Sequence, residues 1–329
     1  MAQIPQTTPE QEKRNAIKPL NLLSMEDLSR RLGMPREKLR GIAKESNSYY
    51  DPFSQPKPQR PFARNKVELK IREIDRPCEP LLEVQKRIYR TLLRDIEMPE
   101  YLCGGVKGRS VLDNVAHHRS ASLIVTLDIK SWFPSITPHH VYFVWRAVLK
   151  CSHKVAKLLT TLTTFNGHLP QGAPTSTALS NLVLYSIDAP IRKAAAAYDV
   201  NYSSWVDDLP LSGPQARKLI PIVVATLKRA GFRISRSKLK VMGSNKQRVV
   251  NGVIAGQQPS ISKQNRDRIR AALHRLRVGE IRDEDRDRYI ATQKGRIVYL
   301  ASINSRQARI FETEMIDLLK EPDVGCVTE

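Results

Sequence analysis

The chain has 329 residues, enough for two or three domains, and its 41% hydrophobic content excludes an intrinsically disordered polypeptide. It carries 54 Lys and Arg against 33 Asp and Glu, and the resulting net charge of +21 favours a polyanionic partner. Its uncharged apolar runs are much shorter than the ~20 residues of a membrane span, its N-terminus lacks an apolar signal core, and its four cysteines are scattered. We therefore expect a soluble cytoplasmic protein with no membrane partner, disulfide framework or zinc site.

Residues 1–50 predict a small helical module. Ser24 is a suitable N-cap, Gly33 is a stop signal and Pro35 suits the start of a second helix, so two short helices are expected. The pair resembles a helix-turn-helix, a pattern that also occurs in many helical subdomains that do not touch DNA. Residues 51–65 contain four prolines and three basic residues, which predicts a linker or extended arm.

Residues 66–256 predict a body in which strands and helices are interleaved, an α+β arrangement. The periodicity of the apolar residues predicts, in chain order, a strand at 66–75, an amphipathic helix at 81–96, a buried strand at 121–129, helices at about 138–164 and 175–198, a β-β unit at 201–213 and a helix at 219–231.

Residues 257–329 predict a basic helical tail. Between Lys263 and Arg309 there are 13 Lys and Arg and 6 Asp and Glu, a net charge of +7. Such a run is commonly a solvated helical face. Combined with the charge of the whole chain, it favours a surface that follows a phosphate backbone.

Three aspartates occupy positions that could converge. Asp128 ends the strand predicted at 121–129, and Asp207 and Asp208 lie where the turn of a hairpin is expected. Carboxylates without nearby His or Cys favour hard cations such as Mg²⁺ over zinc. Two such ions about 3.5–4 Å apart would activate a hydroxyl nucleophile and stabilise a leaving pyrophosphate. An adjacent Asp pair by itself is also common in ordinary turns.

The segment LPQGAPTSTALSNL (169–182) lies between these acidic sites. Gly172 permits close approach of the backbone to a flat partner, and the small side chains of the following helix leave room for a base pair. The alternative is an ordinary loop and helix N-cap. The order of the motifs is more informative than any one of them, because a Gly-Phe segment and a basic turn follow at 231–241.

This order resembles that of the reverse transcriptase family over roughly residues 65–310. The matching segments are DIKSWFPSI (128–136), LPQGAPTS (169–176), WVDD (205–208), the Gly-Phe segment that ends at Lys238, and VVNGVIAG (249–256). The resemblance implies an α+β fold of the right-hand polymerase type. Fingers and palm would occupy residues 66–256, and residues 257–329 would form a basic thumb.

The resemblance also implies a catalytic centre. Asp128, Asp207 and Asp208 would hold two Mg²⁺ ions, for which Mn²⁺ could substitute, with the carbonyl oxygen of Ile129 as an additional ligand. Lys238 matches the lysine that protonates the departing pyrophosphate, which is a general acid role.

Four other residues match the nucleotide site of the family. Phe133 corresponds to the aromatic gate that presses against the sugar and excludes a ribonucleotide 2′-OH. Gln171 would lie against the incoming nucleotide and its base pair. Lys70 and Arg72 would grip the triphosphate, a task suited to a point charge and a bidentate fork.

Within the family, the chain resembles bacterial retron reverse transcriptases. The segment DNVAHH (113–118) is similar to their Asn-Ala-x-x-His element, with Asn114 and His118 in place. We predict that these two residues, with Asn251 and Gly252 of the element described next, hold RNA. For Asn114 and His118, a structural hydrogen bond in a helix cap is an equal alternative.

The Val-Asn-Gly sequence at 250–252 resembles the Val-Thr-Gly element of the same enzymes. Val115, Trp205 and Asn251 depart from the usual Ala, Tyr and Thr. These departures leave open a non-retron defence-associated or intron-derived reverse transcriptase.

A retron identity implies particular partners. They are a dedicated structured noncoding RNA that serves as template and primer, dNTPs, and an effector protein encoded nearby. The product would be a branched RNA–DNA molecule that starts from a 2′-OH and acts in antiphage defence. A catalytically silent nucleic-acid-binding scaffold is disfavoured because all three carboxylates are present. An RNA-directed RNA polymerase is disfavoured by the aromatic residue at position 133.

Overall fold

The computed structural model describes residues 16–56, 71–243 and 247–320. Helices and three small antiparallel sheets make up these ranges, which confirms the predicted α+β class. Within the same ranges, no helix combines the length and the apolar character that a membrane span requires. The cysteines there are free thiols, as expected: Cys78, Cys103 and Cys151.

Two short helices form the N-terminal part, as the capping residues predict. Helix α1 (Met25–Leu32) begins after Ser24, whose hydroxyl accepts a backbone hydrogen bond, and ends at Gly33 in a left-handed conformation (φ 61°). Helix α2 (Arg36–Lys44) follows Pro35. The apolar faces of both helices are buried in the main hydrophobic core, so this part is packed onto the rest of the molecule.

Strand β1 (Tyr50–Pro56) pairs with strand β2 (Ile71–Pro77) in a two-stranded antiparallel sheet. Residues 51–56 of the segment predicted to be a linker or an extended arm (51–65) are thus extended but paired, and the rest of that segment lies outside the described residues. Proline is tolerated on edge strands, and both strands of a two-stranded sheet are edges. The prolines of β1 are therefore compatible with its pairing to a distant segment. The strand predicted at 66–75 is described only from its sixth residue onward, where it forms β2.

The helices of the body are shorter than the apolar spacing predicts. They are α3 (Leu81–Ile88), which continues as a π-helical turn to Leu93, α4 (Val111–Ala116), α5 (Trp132–Ser135), α6 (Pro138–Phe143), which continues as a π-helical turn to Val148, α7 (His153–Thr163), α8 (Ser176–Ile187), α9 (Ala189–Ala197) and α10 (Ile220–Arg229).

Two of the predicted helices are interrupted. The helix expected at 138–164 is broken at Lys150, whose φ of 57° is incompatible with a right-handed helix. The helix expected at 175–198 is broken at Asp188, because Pro190 lacks the N–H needed to continue the hydrogen-bond ladder of α8.

A four-stranded antiparallel sheet in the order β4-β5-β3-β6 lies at the centre of the body. Its strands are β3 (Ile124–Asp128), β4 (Asn201–Tyr202), β5 (Asp208–Ser212) and β6 (Lys240–Met242). Leu127, Leu209 and Leu211 are buried in the main core, which holds the sheet against the helices. The strand predicted at 121–129 and the β-β unit predicted at 201–213 are confirmed, with shorter strands than expected.

The last elements form a C-terminal unit (residues 249–320) with a second hydrophobic core. It contains the strands β7 (Val249–Val250), β8 (Val253–Ile254) and β9 (Ser260–Ile261), followed by helices α11 (Lys263–Arg277), α12 (Asp283–Ile303) and α13 (Ser305–Lys320). The predicted helical tail is thereby confirmed up to residue 320. Val115, Ile124 and Met242 of the body join the core of this unit, which places the β7–β8 turn beside the central sheet.

Candidate active site

The three predicted metal-binding aspartates come together at one end of the central sheet. Asp128 is the last residue of β3 and Asp208 is the first residue of β5, and the antiparallel register sets them opposite each other. Asp207 immediately precedes β5, and its carbonyl oxygen accepts a 2.9 Å hydrogen bond from the N–H of Ile129. All three side chains line one cleft of about 760 Å³. Strand pairing thus brings residues that are distant in sequence to a single site.

The turn before β5 has an unusual backbone. Val206 has a φ of 60°, a left-handed value that β-branched residues rarely adopt. Trp205 and Asp208 close the turn through reciprocal backbone hydrogen bonds of 2.9 and 3.1 Å. Behind the turn, Gly104 approaches so closely that a Cβ there would lie 2.5 Å from the backbone nitrogen of Val206. In the sequence, the Gly104-Gly105 pair is a local signal of this close approach.

The loop that carries Gly104 is tied to the sheet and to α8. The N–H of Cys103 donates to the carbonyl of Ser204 at 2.9 Å, and the N–H of Ser204 donates to the carbonyl of Tyr101 at 2.7 Å. The buried side chain of Asn181 on α8 donates from Nδ2 to the carbonyl of Gly104 at 2.8 Å. The aspartate turn therefore rests on a hydrogen-bonded loop that sequence reasoning does not identify.

Lys238 contributes a positive charge to the cleft. Its ammonium group forms an ion pair with Oδ2 of Asp128. The preceding turn is fixed to the same strand, because the N–H of Ser235 donates to the carbonyl of Asp128 at 2.8 Å. Burial alone would lower the pKa of Lys238, but the hydrogen bond to Asp128 and the negative charges of the three aspartates raise it overall. Lys238 therefore stays protonated at neutral pH.

The charged form of the Asp208 side chain is destabilised in the folded protein. Burial, followed by the negative charges of Asp207 and Asp128, raises the pKa of Asp208 to about 6. Lys238 and a hydrogen bond from Asn251 act in the opposite direction. Three negative charges held this close together make the binding of a cation favourable.

The donor set of the cleft fits a hard divalent cation. The ligand groups are carboxylate oxygens, and neither His nor Cys is among the described residues that line the cleft. In the described part of the chain, no three His, Cys, Asp or Glu side chains are gathered tightly enough to form a complete metal-binding cluster. The three aspartates line the same cleft, and their negative charges interact. Their side chains are not yet arranged around one ion position.

Phe133 lies on α5, immediately after the strand that ends at Asp128. Its side chain is half-buried and packs against the main core. The neighbouring Trp132 is buried and contacts Phe232, with ring centroids 4.7 Å apart. The contact between Trp132 and Phe232 therefore holds α5 against the core, and with it the predicted sugar gate Phe133.

Gln171 lies in a loop that is attached to β2. Its N–H donates to Oδ2 of Asp75 at 3.1 Å, and its carbonyl accepts from the N–H of Asp75 at 2.8 Å. His168 lies 3.0 Å from the same carboxylate oxygen. Gly172 has a φ of 116°, and a Cβ there would lie 2.9 Å from Cγ2 of Ile74. The close approach that Gly172 permits is thus to a neighbouring strand of the protein.

The predicted triphosphate-binding residues are described only in part. Arg72 is exposed on β2, opposite Gln55 of β1. Lys70 lies outside the described residues.

The four residues predicted to hold RNA occupy two different environments. Asn114 and His118 are fully buried, so direct contact with RNA does not fit their positions. The alternative of a structural hydrogen bond fits them, although their partners are other side chains instead of a helix cap. Asn251 and Gly252 form the β7–β8 turn at the cleft, where Nδ2 of Asn251 donates to Oδ2 of Asp208 at 3.0 Å.

Comparison with known proteins agrees with this geometry. The family described as reverse transcriptase (RNA-dependent DNA polymerase) matches residues 70–262, which contain the central sheet and the three aspartates. The chain therefore belongs to the reverse transcriptase family and is an RNA-directed DNA polymerase. Enzymes of this family use divalent metal ions, in agreement with the donor set of the cleft.

Three curated relatives with similar sequences are all retron reverse transcriptases. The chain is 27% identical to the retron Ec86 reverse transcriptase of Escherichia coli, over 77% of this chain and 78% of the relative. It is 28% identical to the retron Se72 reverse transcriptase of Salmonella heidelberg (strain 579083-10), over 76% and 67%. It is 29% identical to the retron Mx65 reverse transcriptase of Myxococcus xanthus, over 75% and 62%. These matches confirm the predicted resemblance to bacterial retron-type reverse transcriptases.

Proposed function

We propose that the chain copies a dedicated structured RNA into DNA at the cleft lined by Asp128, Asp207 and Asp208. These carboxylates, with the carbonyl oxygen of Ile129, would hold two Mg²⁺ ions, for which Mn²⁺ would substitute. Bound ions of this kind activate the attacking hydroxyl and stabilise the leaving pyrophosphate. The observation that carries the proposal is the register that sets Asp128 opposite Asp208.

Lys238 would act on the leaving group. A raised pKa keeps its ammonium protonated, so the residue can neutralise developing negative charge and can supply a proton to the departing pyrophosphate. Its ion pair with Asp128 supports this role, because the ammonium group would then lie beside the proposed metal ions and the leaving group.

The surrounding residues would select the nucleotide. Phe133, on its anchored helix, would exclude a ribonucleotide by filling the space of the 2′-OH. Gln171 would support the base pair, and Lys70 and Arg72 would hold the triphosphate. The hydrogen bonds between Gln171 and Asp75 support a fixed position for this loop relative to the β1–β2 sheet.

The layout would be that of a right hand. Residues 66–256 would form fingers and palm, with the central sheet as the palm, and residues 257–329 would form the thumb. The basic helices of the thumb would hold an A-form RNA–DNA hybrid through its backbone and shape, because the deep major groove of such a hybrid offers little for side chains to read.

The likeness to retron reverse transcriptases supports a more specific function. The template and primer would be one noncoding RNA, synthesis would begin at a 2′-OH, and the product would be a branched RNA–DNA molecule. The complex would act in antiphage defence together with an effector protein.

The test uses purified protein with its co-purifying RNA, Mg²⁺, and either dNTPs or NTPs. We expect incorporation of dNTPs that is abolished in Asp207→Asn. No incorporation by the unchanged protein would indicate a silent scaffold, and equal use of NTPs would indicate an RNA polymerase. Sequencing of the co-purified nucleic acid should reveal a 2′–5′ junction, and its absence would contradict the retron-specific part.

A further inference from the structure

A continuous chain of hydrogen-bonded side chains runs from the interior of the body to the carboxylate of Asp208. It connects α4, the central sheet and the β7–β8 turn, and its members in order are Ser212, His118, Ser203, Asn114, Asn251 and Asp208. The first four are fully buried. Because unpaired polar groups are costly to bury, such a chain is stable only when every member is satisfied, and it then specifies one arrangement.

The buried half of the chain has a defined direction. Ser203 gives its single hydroxyl proton to Oδ1 of Asn114, so Nε2 of His118 must carry the proton in its 2.7 Å hydrogen bond to Ser203. Nδ1 of His118 then accepts from the hydroxyl of Ser212 at 2.8 Å. Burial lowers the pKa of His118 to about 3, in agreement with this neutral ring.

Two amide groups continue the same direction to the cleft. Since Oδ1 of Asn114 accepts from Ser203, Nδ2 of Asn114 donates to Oδ1 of Asn251. Asn251 therefore presents Nδ2 to Oδ2 of Asp208, at 3.0 Å. Reversing either amide would set oxygen against oxygen. The acceptor oxygen of Asp208 thus fixes the direction of the whole chain, and the buried residues hold Asn251 in the matching orientation.

We propose that Asn251 is a positioning residue for Asp208, and that Asn114, Ser203 and His118 hold Asn251 in its donor orientation. The proposal rests on the proposed function, because that function assigns Asp208 to cation binding. With one carboxylate oxygen held, rotation of the side chain of Asp208 is restricted. The ligand is then oriented before a cation binds, which reduces the entropy lost on binding.

The turn that carries Asn251 supports this role. Asn251 and Gly252 have φ values of 48° and 83°, both positive as in a two-residue type I′ turn, and Val250 pairs with Val253 on either side. The two valines are buried in the core of the C-terminal unit. Asn251 therefore reaches Asp208 from a well-supported position.

The test uses Asn251→Gly, because glycine retains the left-handed turn and removes only the amide group. Mn²⁺ binding to the full-length protein, freed of nucleic acid by high salt, is measured by electron paramagnetic resonance. Asp207→Asn defines the Mn²⁺ binding that lies outside the site. We expect Asn251→Gly to weaken the Asp207-dependent Mn²⁺ affinity about 10-fold. Ser203→Ala should weaken it by a smaller factor, because Ser203 acts through Asn114.

Asn47→Ala is the matched control, since it also removes an asparagine side chain, one that accepts a hydrogen bond from the backbone of Asn166. We expect its Mn²⁺ affinity to equal that of the unchanged protein. If Ser203→Ala does not fold, the result for Asn251→Gly decides the question.

Unchanged Mn²⁺ affinity in Asn251→Gly would overturn the positioning role. A loss of affinity for the co-purified RNA with unchanged Mn²⁺ affinity would also overturn it and would assign Asn251 to RNA binding. DNA synthesis by Asp207→Asn would instead refute the proposed function, so the two failures are distinguishable.

Discussion

Gly104 and Val206 are packed so closely that no side chain fits between them: a Cβ at position 104 would lie 2.5 Å from the backbone nitrogen of Val206 and 2.7 Å from its Cγ2. Val206 is the residue before the aspartate pair, and its left-handed backbone sets the direction of the turn. The geometry of the aspartate turn thus depends on a glycine that has no side chain to contribute.

We therefore expect Gly104→Ala to displace the aspartate turn. A shift of about 1 Å in a reacting group can cost roughly 100-fold in rate, so DNA synthesis should fall by about that factor. Incorporation of dNTPs by the purified variant measures the effect. Gly41→Ala is the control, because a Cβ there meets no atom within 4 Å. Equal activity of Gly104→Ala and the unchanged protein would show that the turn tolerates the displacement.

Asp208→Asn should stabilise the protein in the absence of divalent cations. The pKa of Asp208 is raised from 3.8 to about 6 in the folded state, so its contribution to stability is complete below pH ~4 and is lost as the pH rises through about 6. At pH 7.5 with a chelator, removing this charge should raise the free energy of unfolding by about 1–2 kcal/mol. Thermal unfolding monitored by circular dichroism measures this change.

Addition of Mg²⁺ should make the unchanged protein more stable than Asp208→Asn, the reverse of the order expected without divalent cations. A cation that binds only the folded state raises its melting temperature, so Mg²⁺ should stabilise the unchanged protein much more than Asp208→Asn. Asp95→Asn is a suitable control because the pKa of Asp95 is lowered to about 2 by its hydrogen bonds to Arg94 and Lys107. That variant should gain no stability. If Mg²⁺ stabilised the unchanged protein, Asp208→Asn and Asp95→Asn equally, the cation would bind outside the aspartate cleft.

Asp75→Ala should weaken dNTP binding. The carboxylate of Asp75 accepts from the N–H of Gln171 and lies 3.0 Å from Nε2 of His168, so its removal frees the loop predicted to support the base pair. Hydrogen bonds to a charged group contribute about 1.5–3 kcal/mol, which corresponds to an increase in KM for dNTPs of at least about 10-fold. Steady-state kinetics at saturating RNA measures this increase.

Asp51→Ala provides the matched control for Asp75→Ala. Asp51 lies on the same two-stranded sheet, but its side chain forms an exposed ion pair with Arg76 at the surface, an interaction of small energetic value. We expect no change in KM for this variant. An equal rise in both variants would show that the effect comes from the stability of the sheet and not from the loop.

Phe133→Val should relax discrimination between dNTPs and NTPs. A smaller side chain at the predicted gate leaves space for a 2′-OH, so incorporation of ribonucleotides should rise while that of dNTPs changes less. Competition between matched dNTPs and NTPs on one template measures the ratio. Phe143→Val changes the same residue type at an exposed position of α6 and should leave the ratio unaltered. An unchanged ratio in Phe133→Val would remove Phe133 from the nucleotide site.

Much of the architecture could be predicted from local signals. Ser24 and Gly33 mark the ends of α1, and the apolar run before Asp128 predicts β3, because caps and periodicity act within a few residues. The order of the acidic and glycine motifs was sufficient to identify the family. The prolines at residues 51–56 indicated extended backbone but not its pairing with β2, because that partner is distant in sequence.

The amino-acid sequence by itself determined the α+β class, the three aspartates and the resemblance to reverse transcriptases, because each of these depends on residue type and order along the chain. Only the tertiary structure decided that Asp128 stands opposite Asp208, that Gly104 supports Val206, and that buried His118 is linked through hydrogen bonds to the carboxylate of Asp208. These relationships join segments far apart in sequence. They depend on packing that no local spacing encodes, because a hydrogen bond between side chains forms only when the whole fold has set its donor and acceptor within about 3 Å.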